Sequence, residues 1–422
     1  MPLDRGRTGP DNGAMRRGLL AVLACAAAVA FPAAGALGSA GSKPLAQRLA
    51  RALAVPHVPV AGSAAVAVDL TTGSAVFERH AGLALAPASN EKLAVTYAAL
   101  AALGPDYQIE TDVLGQGELV GTTWRGPLVL QGHGDPTLSH LDLRVLARQV
   151  RTAGIRKVAG SVLGDESYFD SRRTAPGWKP SFYINESAPL SALTVDRTWF
   201  HDHHSRVPAA AAAALFKDAL RAQGVAVTGR ATRGTAGTDT QQLADVLSPP
   251  LAQIARFMDR ESDNFTAELL LKQLGAVNGA VGTTAGGAAA VRTELTEAGI
   301  PVAGVRIVDG SGLSPLDRLT AHAIVGMLRA AWEDPTIKVP FVSALAIAGR
   351  SGTLKDRMRG PPARGVVLAK TGTTSLASAL SGFVRQRYVF SVLQNGNPVS
   401  TFWARRAQDR FATVLAASAT TG

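Results

Sequence analysis

The sequence predicts an α+β fold, an antiparallel sheet flanked by helices, whose chain is split by an inserted β-rich segment. Three observations carry this. Two strand-like runs, "SAAVAVDL" (63–70) and "SAVFERH" (74–80), flank "TTG" as the arms of a hairpin near the N-terminal end. Three more, "VVLAKTGTTS", "ASALSGFVR" and "RYVFSVLQNG", succeed one another near the C-terminal end through short connections, which require antiparallel neighbours. Between about 108 and 245 the texture changes to short runs such as "GPLVLQG", "KVAGSVLGD" and "AVTGRATRG", punctuated by Gly, Pro and Asp.

The elements follow in order. "PLAQRLARAL" (44–53) has the apolar spacing of an amphipathic helix. After the hairpin, a helical pattern begins near Ser89, with Leu93, Tyr97, Leu100 and Leu103 on one side. Within 108–245 one Ala-rich helix, "PAAAAAALFKDALRAQG" (208–224), opens with Pro208 and stops at Gly224. From 246 long helical patterns return in "PPLAQIARFMDRESDNFTAELLLKQLGAVNG" and "TTAGGAAAVRTELTEAGI". The three C-terminal strands are followed by the helix "STFWARRAQDRFATVLAA". The expected organisation is one domain in two pieces, 43–107 and 246–422, with 108–245 inserted between them.

At 422 residues the chain is long enough for two or three domains with a substantial core. It carries 43 basic and 32 acidic side chains, a formal net charge of +11. Such a surface suits nucleic acid or an anionic cell envelope. No long Lys/Arg block and no interleaved basic–aromatic stripe is present, which argues against nucleic acid. Arg5, Arg7, Arg16 and Arg17 precede the apolar run "GLLAVLACAAAVAFPAAGALGSA", the order of a secretory signal over 1–40. Cleavage fits after Ala36 or Ala40, and Met15 would make a tidier start; a permanent membrane anchor is the competing reading. Cys25, the single cysteine, has Leu23 two residues before it, which disfavours a lipidated cysteine. Loss of residues 1–40 leaves no cysteine for disulfides, thiol chemistry or metal.

Three short motifs carry the chemistry. Ser89 and Lys92 form S-x-x-K; Ser262, Asp263 and Asn264 form S-x-N; Lys370, Thr371, Gly372 and Thr373 form K-T-G-T. Each has a bland reading alone, as a helix cap or an exposed lysine, but all three in this order do not. Ser89 at a helix start sees the positive end of the helix dipole, which favours alkoxide character. The i, i+3 spacing puts Lys92 on the same face, within reach of the Ser89 hydroxyl. Burial and a second cation, Lys370, both favour a neutral Lys92 amine that can act as base. Ser262 can relay a proton to a leaving amine, and Asn264 can hold Lys92 and a substrate amide. Gly372 lets a substrate backbone lie along the strand edge, and Thr371 and Thr373 offer hydroxyls to a carboxylate.

The motif set resembles that of the penicillin-recognising serine enzymes, and more narrowly the low-molecular-mass class C penicillin-binding proteins, the D-alanyl-D-alanine carboxypeptidase/endopeptidases. "QGHGDPTL", "GSVLGDESYFD", "SAPLSALTVD", "SPPLAQIARFMDRESDN" and "VDGSGLSPLDRLTA" are similar to segments of that group. The resemblance implies the β-lactamase-like catalytic fold and acyl transfer from a peptidoglycan stem peptide to Ser89, with β-lactam antibiotics as inhibitors. It implies catalytic roles for Ser89, Lys92, Ser262, Asn264 and Lys370, substrate binding by Thr371, Gly372 and Thr373, and backbone amides of Ser89 and Thr373 as the oxyanion hole. It implies no metal and no organic cofactor, and an extracytoplasmic site of action.

One departure stands out. The group carries two nested inserts between S-x-x-K and S-x-N, whereas here "LTVDRTWFHDHHSRVPAAAAAALF" runs almost directly into the Ala-rich helix. A second insert is therefore expected to be absent, with His201, Asp202, His203 and His204 in an exposed loop at the deletion rather than on a metal. Two alternatives differ in class: a β-lactamase, disfavoured by the long insertion, and a non-catalytic wall-binding or sensor module, disfavoured by the complete motif set.

Overall fold

The computed structural model describes residues 42–419 apart from 278 and 280. The expected leader over 1–40, with Cys25 and both cleavage points, lies outside the described residues.

Helix α1 (Ser42–Leu53) precedes a six-stranded antiparallel sheet whose spatial order runs Ala346–Ile347, Val367–Thr373, Ala377–Val384, Tyr388–Asn395, Ser63–Asp69, Ala75–Arg79. The N-terminal hairpin thus pairs with the C-terminal three strands, Val66 opposite Ser391. The outermost strand pairs only with Leu368 and Ala369, so the Lys370–Thr373 edge is left open on that side.

One face of the sheet packs on a helical layer whose centre is α2 (Glu91–Leu103). An amphipathic stripe was expected there; instead every residue from Glu91 to Leu100 is buried and Leu103 is the partly exposed one. The reason is its small side chains: Ala94, Ala98 and Ala99, all buried, let neighbouring elements close in around the helix. The other face of the sheet is covered by α1 and the C-terminal helix through Leu49, Phe390, Phe411 and Leu415.

Residues 108–247 build two larger sheets besides a two-stranded hairpin. Five strands run in the order Ala231–Arg233, Val162–Asp165, Leu128–Gly132, Glu110–Gly115, Gln241–Leu247, and four shorter ones Ala226–Val227, Lys157–Ala159, Thr123–Arg125, Glu118–Val120. Both mix parallel and antiparallel pairs. Two helices pack on them, α3 (His140–Thr152) and α4 (Pro208–Ala222), through Leu143, Leu146, Val150, Phe216 and Leu220. The Ala-rich α4 starts at Pro208 as expected, but α3 was not anticipated. Its signal is present: the Ser139 amide and hydroxyl both donate to Asp142, a capping box ahead of apolar residues at helical spacing.

Five helices follow: α5 (Leu251–Glu261), α6 (Asn264–Val277), α7 (Thr284–Glu297), α8 (Ala321–Glu333) and α9 (Lys338–Ala344); α10 (Thr401–Ser418) closes the chain. The long pattern after 246 is two helices, not one, because Ser262 turns left-handed (φ 60°) between α5 and α6. No helix among the described residues is long and apolar enough to cross a membrane.

Candidate active site

Ser89 lies in a 3-10 turn, Ala88–Asn90, that feeds directly into α2. Ala88 before it holds a positive φ of 47°, a costly conformation for a non-glycine residue and one that clusters at functional sites. One turn on, Lys92 is fully buried and its Nζ donates to three acceptors: Ser89 Oγ at 3.2 Å, Asn264 Oδ1 at 2.8 Å and the Ser311 carbonyl at 2.6 Å. Three acceptors satisfy the three protons of an ammonium. The serine contact is the longest, and it reverses when the amine loses a proton, so that the hydroxyl then donates to nitrogen.

The second half of the site is built from the α5–α6 junction and the open strand. Lys370 is also fully buried, and its Nζ donates to Ser262 Oγ at 2.8 Å and to the Thr371 carbonyl at 3.0 Å. The left-handed turn at Ser262 aims that hydroxyl at Lys370 and sets Asn264 at the start of α6, facing Lys92. Asn264 also donates from Nδ2 to the Glu186 carbonyl at 2.9 Å. Asp263 between them pairs with Arg197 at 2.7 Å, which ties the junction to the 196–198 turn.

Both lysines are poised near neutrality. Burial lowers Lys92 to about 8, with Asp309, Asp263, Glu268 and Asp259 pulling the other way. Burial, then the charge of Lys92, lowers Lys370 to about 7, against the pull of Asp259. An amine in this range can take a proton from a hydroxyl and return it.

Gly372 is required for a reason the sequence did not suggest. A Cβ there would lie 2.8 Å from the Pro87 carbonyl and 3.0 Å from the Ser89 nitrogen. The strand therefore abuts the backbone of the Ser89 turn, and Gly372 is what permits that approach. Thr374 N donates to Ala377 O at 2.8 Å, so by antiparallel alternation the amides of Thr371 and Thr373 point away from the neighbouring strand to the open edge. The hydroxyls of these threonines already have partners, which the expectation of free carboxylate donors did not include. Thr371 Oγ1 donates to Thr353 Oγ1 at 2.8 Å, and Thr373 Oγ1 accepts from Arg405 Nη2 at 3.3 Å.

All eight residues singled out in the sequence thus fall on three adjoining elements: the Ser89 turn with α2, the α5–α6 junction and the Val367–Thr373 strand. Others were not foreseen. The 309–314 loop presents the Ser311 carbonyl to Lys92; Asp309 holds its turn by accepting from Gly312 N and Ser314 N, both at 2.7 Å, and from Trp178 Nε1 at 2.8 Å. Glu268 accepts from Gly310 N and Ser311 N. Asp259, fully buried one turn before Ser262, accepts from Thr96 Oγ1 at 2.7 Å and so joins α5 to α2. The Gly- and Ser-rich "VDGSGLS" around Asp309 was the available signal for the loop; Glu268 and Asp259 look like ordinary helix residues.

The expected His201–His204 loop is a small hairpin, Trp199–Phe200 with His203–His204, in which His201, Asp202 and His203 are exposed. No group of three or more His, Cys, Asp or Glu among the described residues is arranged to hold a metal.

Comparison with known proteins converges on one family. The model for the D-Ala-D-Ala carboxypeptidase 3 (S13) family matches residues 45–206 and 199–418. A D-alanyl-D-alanine carboxypeptidase from Actinomadura sp. (strain R39) is 31% identical, with 94% of this chain and 90% of that protein aligned. A carboxypeptidase from Mycobacterium tuberculosis is 33% identical over 82% of this chain and 78% of its own length. Among solved structures, penicillin binding protein 4 from Haemophilus influenzae superimposes with a TM-score of 0.75 at 22% identity, covering 90% of this chain and 99% of that one, which establishes the shared fold. On these matches the chain belongs to the D-Ala-D-Ala carboxypeptidase 3 (S13) family, within the low-molecular-mass class C penicillin-binding proteins.

Proposed function

We propose that Ser89 is the nucleophile through which this serine-type D-alanyl-D-alanine carboxypeptidase cleaves the terminal peptide bond of peptidoglycan stem peptides. Lys92 takes the Ser89 proton as Oγ attacks the carbonyl carbon of the penultimate D-alanine. The amides of Ser89 and Thr373 receive the oxyanion. The carbon–nitrogen bond breaks, the proton taken by Lys92 is relayed to the leaving amine through Ser262 and Lys370, which leaves Lys92 neutral again, and D-alanine departs. Water, deprotonated by Lys92, then hydrolyses the ester and regenerates the serine. A β-lactam follows the first half and stalls as the ester.

The observation that carries this reading is the Ser89–Lys92–Asn264 and Ser262–Lys370 hydrogen-bond set around two lysines lowered to about 8 and about 7. Asn264 and the open Lys370–Thr373 edge are assigned to the substrate backbone, and Thr371 and Thr373, beside Arg405, to its terminal carboxylate.

The division into 43–107 plus 246–422 and an inserted 108–245 belongs to the same proposal. It is supported by the separate apolar core between α3 and α4. The absence of a second nested insert is supported by the Actinomadura alignment, which extends over 483 positions while drawing on 94% of a 422-residue chain, so gaps fall in this chain. Export rests on the Arg-led apolar run at the N-terminus.

Mass spectrometry of the full chain after penicillin treatment is the direct test. One penicilloyl adduct on the Ser89 peptide is expected, and none in Ser89→Ala with an unchanged melting temperature. An undiminished adduct in folded Ser89→Ala removes the assignment.

A further inference from the structure

Beside the open strand lies a groove of about 840 Å³ along α10, walled by α1 and the 357–358 loop. Its charged lining is Arg48, Arg357, Arg405, Arg406, Arg410 and Asp409. Asp409 is the one carboxylate, and Arg357 engages it at 2.7 and 3.0 Å. Among the described residues Arg48, Arg405, Arg406 and Arg410 make no ion pair. Arg405 belongs to both places: it lines the groove and donates to Thr373 Oγ1. Burial, then the like charge of Arg357, weakens its hold on its proton, against the pull of Asp409. Phe402, 65% exposed, adds an apolar surface at the end next to Arg405.

The direction of the substrate gives the groove a meaning. The acyl carbon goes to Ser89, and whatever lies beyond the scissile bond runs toward Thr373. A carboxypeptidase releases a single D-alanine there, whose carboxylate Thr373 and Arg405 suffice to meet. A groove of this volume suits a ligand many times larger, and guanidinium forks suit carboxylates. We propose that the groove receives the carboxylate-bearing acceptor peptide of crosslinked peptidoglycan, held by Arg48, Arg405, Arg406 and Arg410 when the leaving group is a peptide. This rests on the D,D-peptidase reading of Ser89 and adds to it a site for the second strand. The chemistry at Ser89 is unchanged: the crosslink amide breaks, the ester forms, and the acceptor amine leaves protonated.

The test sets two substrates against each other on the full chain. One is a pentapeptide ending in D-Ala-D-Ala; the other is a crosslinked muropeptide dimer. The variant Arg48→Gln/Arg406→Gln/Arg410→Gln is expected to lose about tenfold in kcat/KM on the dimer, as removing several weak, solvent-screened ion pairs at once would give. The pentapeptide and penicillin acylation should stay within about twofold. Arg406→Gln alone should show the same selectivity at smaller size, so the result does not depend on the triple variant folding. Added salt should slow wild-type cleavage of the dimer more than of the pentapeptide. Equal losses on both substrates, or no loss on either, overturn the inference. A wild type that cleaves the pentapeptide and not the dimer overturns it while leaving the D,D-peptidase reading intact. A wild type that cleaves neither and takes no penicillin removes that reading and the inference together.

Discussion

The interior between α3 and α4 and the interior around α2 are both closed to solvent, but they are filled differently. The first is hydrocarbon: Trp124, Leu128, Leu143, Leu146, Phe216 and Leu220 pack with alanines and valines. Where this region does bury a carboxylate it satisfies it, Asp165 accepting from Gln131, Ser167 and Ala236. The second buries Lys92, Lys370, Glu91, Asp259, Glu268, Asp309 and Asp317, and several of their oxygens have no partner. Charges taken from water cost several kcal/mol each unless well paired. The apolar core is what stability alone selects; the charged one is kept for chemistry, and it sets the lysines near neutrality.

Lys92→Arg breaks the comparison at its most sensitive point. Guanidinium keeps the charge but cannot shed a proton near neutral pH. Penicillin acylation should fall by several orders of magnitude, about as far as when Ser89 is lost, because the pair acts as a unit. In the wild type the rate should rise with pH through about 8, where Lys92 becomes neutral, and the variant should lack that limb. Stopped-flow acylation across pH measures both; a loss within about tenfold would make Lys92 a structural residue.

Phe216→Ala tests the other interior. Phe216 is fully buried between α3 and α4, so the truncation should cost about 3–5 kcal/mol by denaturant titration. The folded fraction should acylate at the wild-type rate, since none of the eight motif residues belongs to this core. A slowed folded fraction would mean that the two interiors are coupled.

What could be read from the sequence divides along the same line. The N-terminal hairpin and the three neighbouring C-terminal strands followed from short connections, most helices from periodicity, and the eight motif residues from three compact patterns. The helix α3 was hidden because its short polar cap sits among strand-like runs. Ser311 was not assigned because it acts through a backbone carbonyl, which no side-chain pattern reports. Asp259 and Glu268 occupy ordinary helical positions and gain meaning only when α2, α5 and α6 pack together. Arg405 reaches Thr373 from a helix 32 residues further along the chain.

The smallest expected effect asks whether the charged interior is ionised at all. Both carboxyl oxygens of Glu91 are buried without a partner. Burial first, then Asp309 and Glu268, raise it well above 4.5, outweighing the pull of Lys92. The folded chain then keeps a proton on Glu91 that the unfolded chain loses above about pH 4.5. Stability from this group is therefore full below that value and falls as pH rises toward the folded pKa, by up to about 1.4 kcal/mol per unit. Glu268, raised to about 8, and Asp317, also raised, have the same sign. Asp112, Asp135 and Asp259 are raised as well; Glu91→Gln removes one contribution among these, so the fall in Tm between pH 5 and 8 should become shallower, whatever constant offset the amide introduces. Calorimetry across pH reads this slope separately from the offset. A variant that loses stability as steeply as the wild type would mean that Glu91 is a carboxylate in the fold, with Lys92 as its counterion. The interior would then be an ion-pair network, and the Glu91 charge would oppose the lowering of Lys92 that burial causes.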